Sequence, residues 1–163
     1  MIFLGVDPGL SGALAFWHPA TRMLDVFDMP TLELGKKRID GYELARILDT
    51  KTGDMVAPKL CIIEQVAARP GAGVSGMFNF GRSFGLAEGV ISAQFWPLEY
   101  AMPHVWKRVM ACPKEKDGAR ARASQLMPEH HAQWALKKHD GRAEAALLAL
   151  YAERLHRERG MAK

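Results

Sequence analysis

Apolar and polar positions recur with two different periods along this chain, and the switches between them mark its elements. The opening stretch Met1–Trp17 holds two apolar runs separated by Asp7-Pro8-Gly9-Leu10-Ser11-Gly12. That pattern predicts a buried strand over Ile2–Val6, a glycine-rich turn, and an antiparallel return strand over Ala13–His18. His18-Pro19-Ala20-Thr21 turns the chain into a third strand, Met23–Met29, which Pro30 ends. Three strands this close together make an antiparallel meander. Thr31–Arg38 reads as a charged loop around Gly35. Asp40 and Glu43 have the spacing of a capping box, and Leu44, Ile47 and Leu48 follow at helical intervals. A helix is therefore expected from about Gly41 to Leu48 or beyond, and Gly53 and Pro58 bracket the loop after it.

Leu60–Val66 is the most strand-like run in the chain, with Glu64 near its end. Because it follows a strand and a helix, it is expected to pair in parallel with the first strand through a crossover. Ala67–Gly76 reads as a glycine-rich loop. Met77, Phe80, Phe84, Ala87 and Ile91 then mark an amphipathic helix over about Ser75–Gln94. Within it Gly81, Gly85 and Gly89 form a four-residue ladder suited to close helix packing. Trp96–Met102 reads as a short edge strand because Pro97 interrupts it. Helices are expected over Pro103–Met110 and Glu115–Leu126, with a loop or short turn over Met127–Trp134. A last helix starts at His139/Asp140 and carries Ala143, Ala146, Leu147, Leu150 and Tyr151 on its apolar face. The basic tail Arg154–Lys163 is expected to fray. Residues 1–163 thus read as a single α/β domain. Its mixed five-stranded sheet has three antiparallel strands followed by parallel ones, flanked by helices.

Composition adds compartment and partner. With 163 residues, 48% hydrophobic and 25% charged, the chain can bury a sizeable core. No apolar run reaches the length of a membrane span, and the N-terminus lacks a signal-peptide pattern, so no membrane association and a cytoplasmic location are expected. Cys61 and Cys112 have no metal-ligand spacing and read as reduced structural thiols. The net charge of +4 is unevenly shared: residues 104–163 carry 13 Lys/Arg against 7 Asp/Glu, while residues 1–103 carry 9 against 11. A basic C-terminal part is either a solvated face or a surface for a polyanion.

Four acids carry the candidate chemistry. Asp7 and Glu64 end strands expected to be neighbours, so both project from one edge of the sheet. Asp140 and Glu144 are four apart at the start of a helix and share a face. Carboxylates brought together in this way repel one another unless cations hold them. Mg²⁺ accepts a few carboxylates, waters and a substrate phosphate, and two such ions can clamp an in-line displacement at a phosphodiester. Three of them also have a plainer reading: Asp7 as a turn residue, Asp140 as an N-cap, Glu144 as a first-turn acid favoured by the helix dipole. Only their joint arrangement points to a metal site.

The motifs Leu4-Gly-Val-Asp-Pro-Gly-Leu-Ser-Gly12, Ile63-Glu-Gln-Val66 and Asp140-Gly-Arg-Ala-Glu-Ala-Ala146, with Phe78-Asn-Phe-Gly-Arg82 between them, resemble the RuvC-type Holliday junction resolvases. The resemblance is closest to their small phage- and prophage-borne branch, and it covers nearly the whole chain. It implies an RNase H-like fold, a homodimer in a bacterial cytoplasm, dependence on two Mg²⁺ ions (or Mn²⁺), and paired nicking of branched DNA such as four-way junctions. By matching motif, Asp7, Glu64 and Glu144 carry over as catalytic metal ligands. Cellular members usually place the remaining acid three residues before the last one, where this chain has Gly141. Asp140 is the natural substitute, with His139 as a weaker candidate. Lys107 resembles a position near the scissile phosphate. Lys114, Lys116 and Arg120, with Arg108, lie in the basic segment expected to meet DNA phosphates. Arg69 and Arg82 flank a region that in this family faces the junction centre, where Phe78 or Met77 is a candidate wedge between bases. Three other readings remain open. An actin-like or sugar-kinase ATPase would need a second large domain. A nuclease trimming structured ribosomal RNA precursors shares the Asp-Pro-Gly opening. A non-catalytic protein would bind branched DNA without cutting it.

Overall fold

The computed structural model describes residues 1–52, 58–65 and 73–161. In chain order its elements are β1 (Ile2–Asp7), β2 (Ala13–His18), β3 (Met23–Asp28), β4 (Thr31–Leu34), β5 (Lys36–Ile39) and α1 (Gly41–Thr52). They continue with β6 (Pro58–Glu64), α2 (Val74–Ala93), β7 (Leu98–Ala101), α3 (Pro103–Val109), α4 (Gly118–Leu126) and α5 (Asp140–Met161). Two short 3-10 helices, Pro128–Trp134 and Lys137–His139, join α4 to α5. The main sheet has the order β3-β2-β1-β6-β7. β1 is its centre, antiparallel to β2 and parallel to β6, and β6 is in turn parallel to β7. The expected α/β architecture, three antiparallel strands continued by parallel ones and flanked by helices, is the observed one.

Strand alternation divides the apolar residues between two layers. Ile2, Leu4 and Val6 of β1 join Cys61 and Ile63 of β6 in a core closed by Leu44 and Leu48 of α1 and Ala87 and Ile91 of α2. Phe3 of β1 and Leu60 and Ile62 of β6 face the other way. They pack with Trp106, Trp134 and the buried run Ala145–Ala149 of α5. Asp7 and Glu64 continue this second alternation, so both leave their strands on the α5 face. Val6 pairs with Ile63, which brings the two acids to the same end of adjacent parallel strands.

α5 lies closer to β1 than side chains normally permit. A Cβ on Gly5 would stand 2.0 Å from the Ala145 carbonyl oxygen and 2.4 Å from the Ala149 nitrogen. One turn earlier in the helix, a Cβ on Gly141 would stand 2.7 Å from the Ser11 carbonyl oxygen and 2.9 Å from Asp7 Oδ2. Gly141, Ala145 and Ala149 follow one another at four-residue spacing, so a single stripe of small residues lies along β1.

Two expectations are corrected. Thr31–Arg38 is a β-hairpin rather than a loop: β4 and β5 pair antiparallel from Thr31↔Ile39 to Leu34↔Lys36, and Gly35 turns between them at φ 77°. Its base is held by the Asp40 amide donating to the Pro30 carbonyl at 2.9 Å and by Ile39, which is buried in the α1/α2 core. Over its described part, Arg154 to Met161, the basic tail does not fray, because α5 stays helical to Met161. Arg154 donates to the Val109 carbonyl at 3.0 Å and Arg159 to Glu99 at 2.8 Å, so both stay attached to distant parts of the fold. The expected helix over Ser75–Gln94 is α2, although Gly81, Gly85 and Gly89 have nothing within 4 Å of an added Cβ. The glycine ladder therefore packs against nothing else among the described residues. Gly53, Val66 and most of the glycine-rich loop fall outside the described residues.

The α5–β1 contact predicts a large effect from one methyl group. Gly5→Ala should lower unfolding stability by about 3 kcal/mol or more, since backbone on both sides must shift to admit it. Urea denaturation of the two proteins checks this, and a loss under about 1 kcal/mol would mean the helix moves away freely.

Candidate active site

The site is built where β1, β6, α3 and the start of α5 meet. Asp7 ends β1 and accepts a hydrogen bond from the Gly9 amide at 3.2 Å. Glu64 ends β6 and accepts one from Trp106 Nε1 at 2.9 Å. Trp106 is fully buried in α3, so the edge of an indole otherwise committed to the core orients this carboxylate. The next residue on α3, Lys107, donates to Glu144 Oε1 at 2.6 Å. Asp140, at the first turn of α5, accepts from Arg120 Nε at 2.7 Å. Arg120 also pairs with Asp117 and donates to the Ala135 carbonyl at 3.4 Å. Its guanidinium is thus turned inward, fastening α4 to the start of α5.

These carboxylates are close enough to sense one another. Asp7 is pushed up to about 7 from an ordinary 3.8, chiefly by burial. The Gly9 amide pulls it back, while the charges of Glu144 and Glu64 raise it further and Lys107 lowers it. For Lys107, burial works against the charge, but the hydrogen bond and charge of Glu144, followed by the charge of Glu64, outweigh it and hold the ammonium above its usual range. The site is therefore an acidic cluster in which Lys107 is the cation at hand.

Above the cluster opens a cavity of about 650 Å³. Asp7, Glu115, Asp140 and Glu144 line it, together with Lys107, Lys114, Lys116, Lys137 and Lys138. Of the residues singled out in the sequence, Lys107, Lys114 and Lys116 are thus gathered at the cavity. Arg82 lines a separate cleft beside the β4–β5 hairpin, and Phe78 stands 70% exposed on the N-terminal half of α2. Met77 is half-buried there. His139 lines a neighbouring recess with Asp28 and Lys138 rather than the cavity of Asp7. Arg69 lies outside the described residues. Sequence reading missed Lys137 and Lys138, although a lysine pair immediately before the last acidic motif was a visible signal. It also missed Trp106, which by itself reads only as a core residue.

The donor set suits a hard divalent cation, since all four candidates are carboxylates and Asp7 carries a charge that burial opposes. Asp7, Glu64 and Glu144 are the residues that would hold one, with Asp140 beside them once its pairing with Arg120 gives way. As placed, each acid is held by its own donor. Among the described residues no three of His, Cys, Asp or Glu are grouped closely enough to enclose a metal ion.

No protein-family profile and no curated protein matches the sequence. Solved structures do match its fold. RuvC of T. thermophilus in complex with a Holliday junction substrate superposes with TM-score 0.60 at 13% identity, over 95% of this chain and 96% of that chain. Another Thermus thermophilus RuvC structure gives TM-score 0.54 at 14% identity, over 96% and 97%. The yeast mitochondrial Holliday junction resolvase Ydc2 gives TM-score 0.50 at 15% identity, over 90% of this chain and 75% of that chain. The chain therefore has the RuvC-type, RNase H-like fold.

The raised pKa of Asp7 ties stability to pH. With 3.8 in the unfolded chain and about 7 in the fold, the native state binds the extra proton between those values. In EDTA, stability should therefore fall as pH rises from about 4 to about 7 and then level off. Asp7→Asn removes the buried charge. It should stabilise the chain at pH 8 by on the order of 2–4 kcal/mol and make little difference near pH 4. Urea titrations at both pH values measure this, and equal effects at the two would show that the carboxylate is ionised without penalty.

Proposed function

We propose that the chain is a metal-dependent, structure-specific endodeoxyribonuclease that resolves Holliday junctions and related branched DNA by paired nicks, acting as a homodimer. The observation that carries this reading is that Asp7 feels the charges of both Glu144 and Glu64, beside a cavity that Asp7, Asp140 and Glu144 line together with five lysines. The fold shared with RuvC and with the yeast resolvase supports it. We assign Asp7, Glu64, Asp140 and Glu144 as ligands of two Mg²⁺ ions, for which Mn²⁺ is a chemical substitute. Ions held by these carboxylates would supply an activated water and charge to neutralise the departing oxygen of a phosphodiester.

The chain's own residues do the positioning. Trp106 fixes the Glu64 carboxylate, and Lys107 adds positive charge where a phosphate enters the cluster. Lys114, Lys116, Lys137 and Lys138 hold neighbouring phosphates, which gives affinity without reading sequence. Arg120 acts here through Asp140, so it positions the site from behind. Arg69, Arg82 and Phe78 are assigned to the DNA face near the branch point, with the exposed ring of Phe78 suited to stack against an unpaired base. The open ladder Gly81, Gly85 and Gly89 offers α2 a close contact with a second copy. A two-fold dimer meeting a roughly two-fold junction is the physical basis of paired cuts. Residues 1–163 are assigned to one nuclease domain. No helix among the described residues is long and apolar enough to cross a membrane, and the free thiols Cys61 and Cys112 fit a bacterial cytoplasm.

A second reading, a non-catalytic protein that binds branched DNA, is favoured by one observation: every carboxylate of the cluster already has a hydrogen-bond donor. Incubation of a synthetic four-way junction and a matched linear duplex with Mg²⁺, Mn²⁺ or EDTA separates the two. The nuclease makes symmetric nicks in the junction, spares the duplex and is blocked by EDTA. Asp7→Asn should lower nicking at least a thousandfold while junction affinity stays within about threefold. Binding without cutting under either metal would establish the second reading.

A further inference from the structure

The β4–β5 hairpin carries Lys36-Lys37-Arg38, and beyond the backbone ladder the side chain of none of these three forms an ion pair or hydrogen bond with another described residue. The hairpin faces α2 across a cleft of about 210 Å³ lined by Lys36, Lys37, Arg38, Asn79 and Arg82. Arg82 is likewise without an ionic partner among the described residues. Four cations thus converge on one cleft, and the only acid on the hairpin is Glu33, opposite Lys37 in the ladder. The hairpin is firmly seated. Ile39 is 2% exposed, and Leu32 and Leu34 stand across from Arg38 and Lys36, where they can support the aliphatic stems.

This cleft is continuous with the candidate active site. Lys37 and Leu10 line both the cleft and an adjoining recess, which also includes Ser11 and Lys138. Ser11 and Lys138 in turn line the cavity above Asp7 and Glu144. Shared lining residues therefore string the three depressions into one groove, from the cavity of Asp7 and Glu144, through a recess that Asp28 also lines, to the hairpin. Its last part, between the hairpin and α2, is lined by cations and by no acid.

We infer that the β4–β5 hairpin and the facing side of α2 form a second DNA-backbone site. There Lys36, Lys37, Arg38 and Arg82 hold the phosphates of the strand or arm that leaves the active-site cavity along this groove. The inference rests on the DNA reading of that cavity. A phosphate backbone fits better than an acidic protein segment because the groove joins the cleft to a cavity already suited to phosphates. Phosphates spaced along one strand also match cations spread along the groove. Contacts of this kind set register and affinity and carry no sequence preference.

The test compares the full-length chain with a Lys36→Gln/Lys37→Gln/Arg38→Gln variant, and separately with Arg82→Gln and Glu33→Gln. The probe is a fluorescent synthetic four-way junction, titrated from 50 to 300 mM salt. Thermal melting and light scattering establish that each variant is folded and what its mass is. The triple variant should bind about tenfold or more weakly at moderate salt, and the slope of log K against log salt should fall by about 2–3. Arg82→Gln should lower the slope by about 1, whereas Glu33→Gln should tighten binding. That last effect cannot arise from misfolding. If the wild-type chain binds and nicks the junction but all variants share its affinity and slope, the second site is overturned and the nuclease reading stands. If the hairpin and Arg82 variants lose binding while the wild type never nicks with Mg²⁺ or Mn²⁺, the second site stands and the nuclease reading fails. A change of mass with unchanged DNA affinity would make the hairpin a contact between copies and overturn the inference.

Discussion

The fold depends on backbone meeting backbone where α5 crosses β1. Gly5 has no side chain to hold the helix away, and the Ala145 carbonyl occupies the space a Cβ would need. Ordinary packing of a helix on a sheet keeps side chains between the two layers. Here the stripe Gly141-Ala145-Ala149 closes that gap, and the rest of the buried α5 run supplies the apolar area on either side. The consequence is chemical as well as structural. The first turn of α5 is brought down onto the end of β1, so Glu144 and Asp140 come to the cavity that Asp7 lines. A helix lodged on bulkier residues would leave Glu144 too distant for its charge to reach Asp7.

Close packing creates an electrostatic problem, and the surrounding residues answer it acid by acid. Glu144 has Lys107, Asp140 has Arg120, and Glu64 has the Trp106 indole N–H. Asp7 has the single Gly9 amide and is the carboxylate pushed up to about 7. Leaving one acid undercompensated makes the cluster a poor place for a bare charge and a good place for a cation. Lys107 offsets this only in part, and Lys114, Lys116, Lys137 and Lys138 stand exposed at the rim, where they are screened. Their natural counterpart is the phosphate backbone that would cross the opening.

The elements legible in the sequence were those whose own pattern decides them. Alternation and turn residues define β1, β2 and β3. The run Leu60-Cys-Ile-Ile marks β6, and the three- and four-residue spacings mark α2 and α5. The hairpin was hidden because its strands are four residues each and three of the nine residues from Thr31 to Ile39 are consecutive cations. Charge density there reads as loop, and only the pairing of Leu32 and Leu34 with Arg38 and Lys36 reveals the ladder. The helical tail was hidden because Arg159 and Arg154 find Glu99 and the Val109 carbonyl far back in the chain. In the site, spacing alone paired Asp140 with Glu144. The donors Trp106 and Arg120 come from other elements and left no local signal.

Gly141 shows why one acid of this cluster sits where it does. The resolvase resemblance leads one to expect a carboxylate three residues before Glu144, and this chain has glycine there. The contact with β1 supplies the reason: a Cβ at 141 would press on the Ser11 carbonyl and on Asp7 Oδ2 itself. With the helix this close, residue 141 can hold no side chain, and the nearest position for an acid is Asp140. Stepping back one residue rotates that acid by about 100° around the helix. The rotation carries it out of line with Asp7 and into reach of Arg120, which links it to α4. In the proposed nuclease the same step would make Asp140 the ligand that must be released before it can bind. Metal affinity would then depend on Arg120 as well as on the carboxylates, so the geometry of a helix contact would set the chemistry of the site.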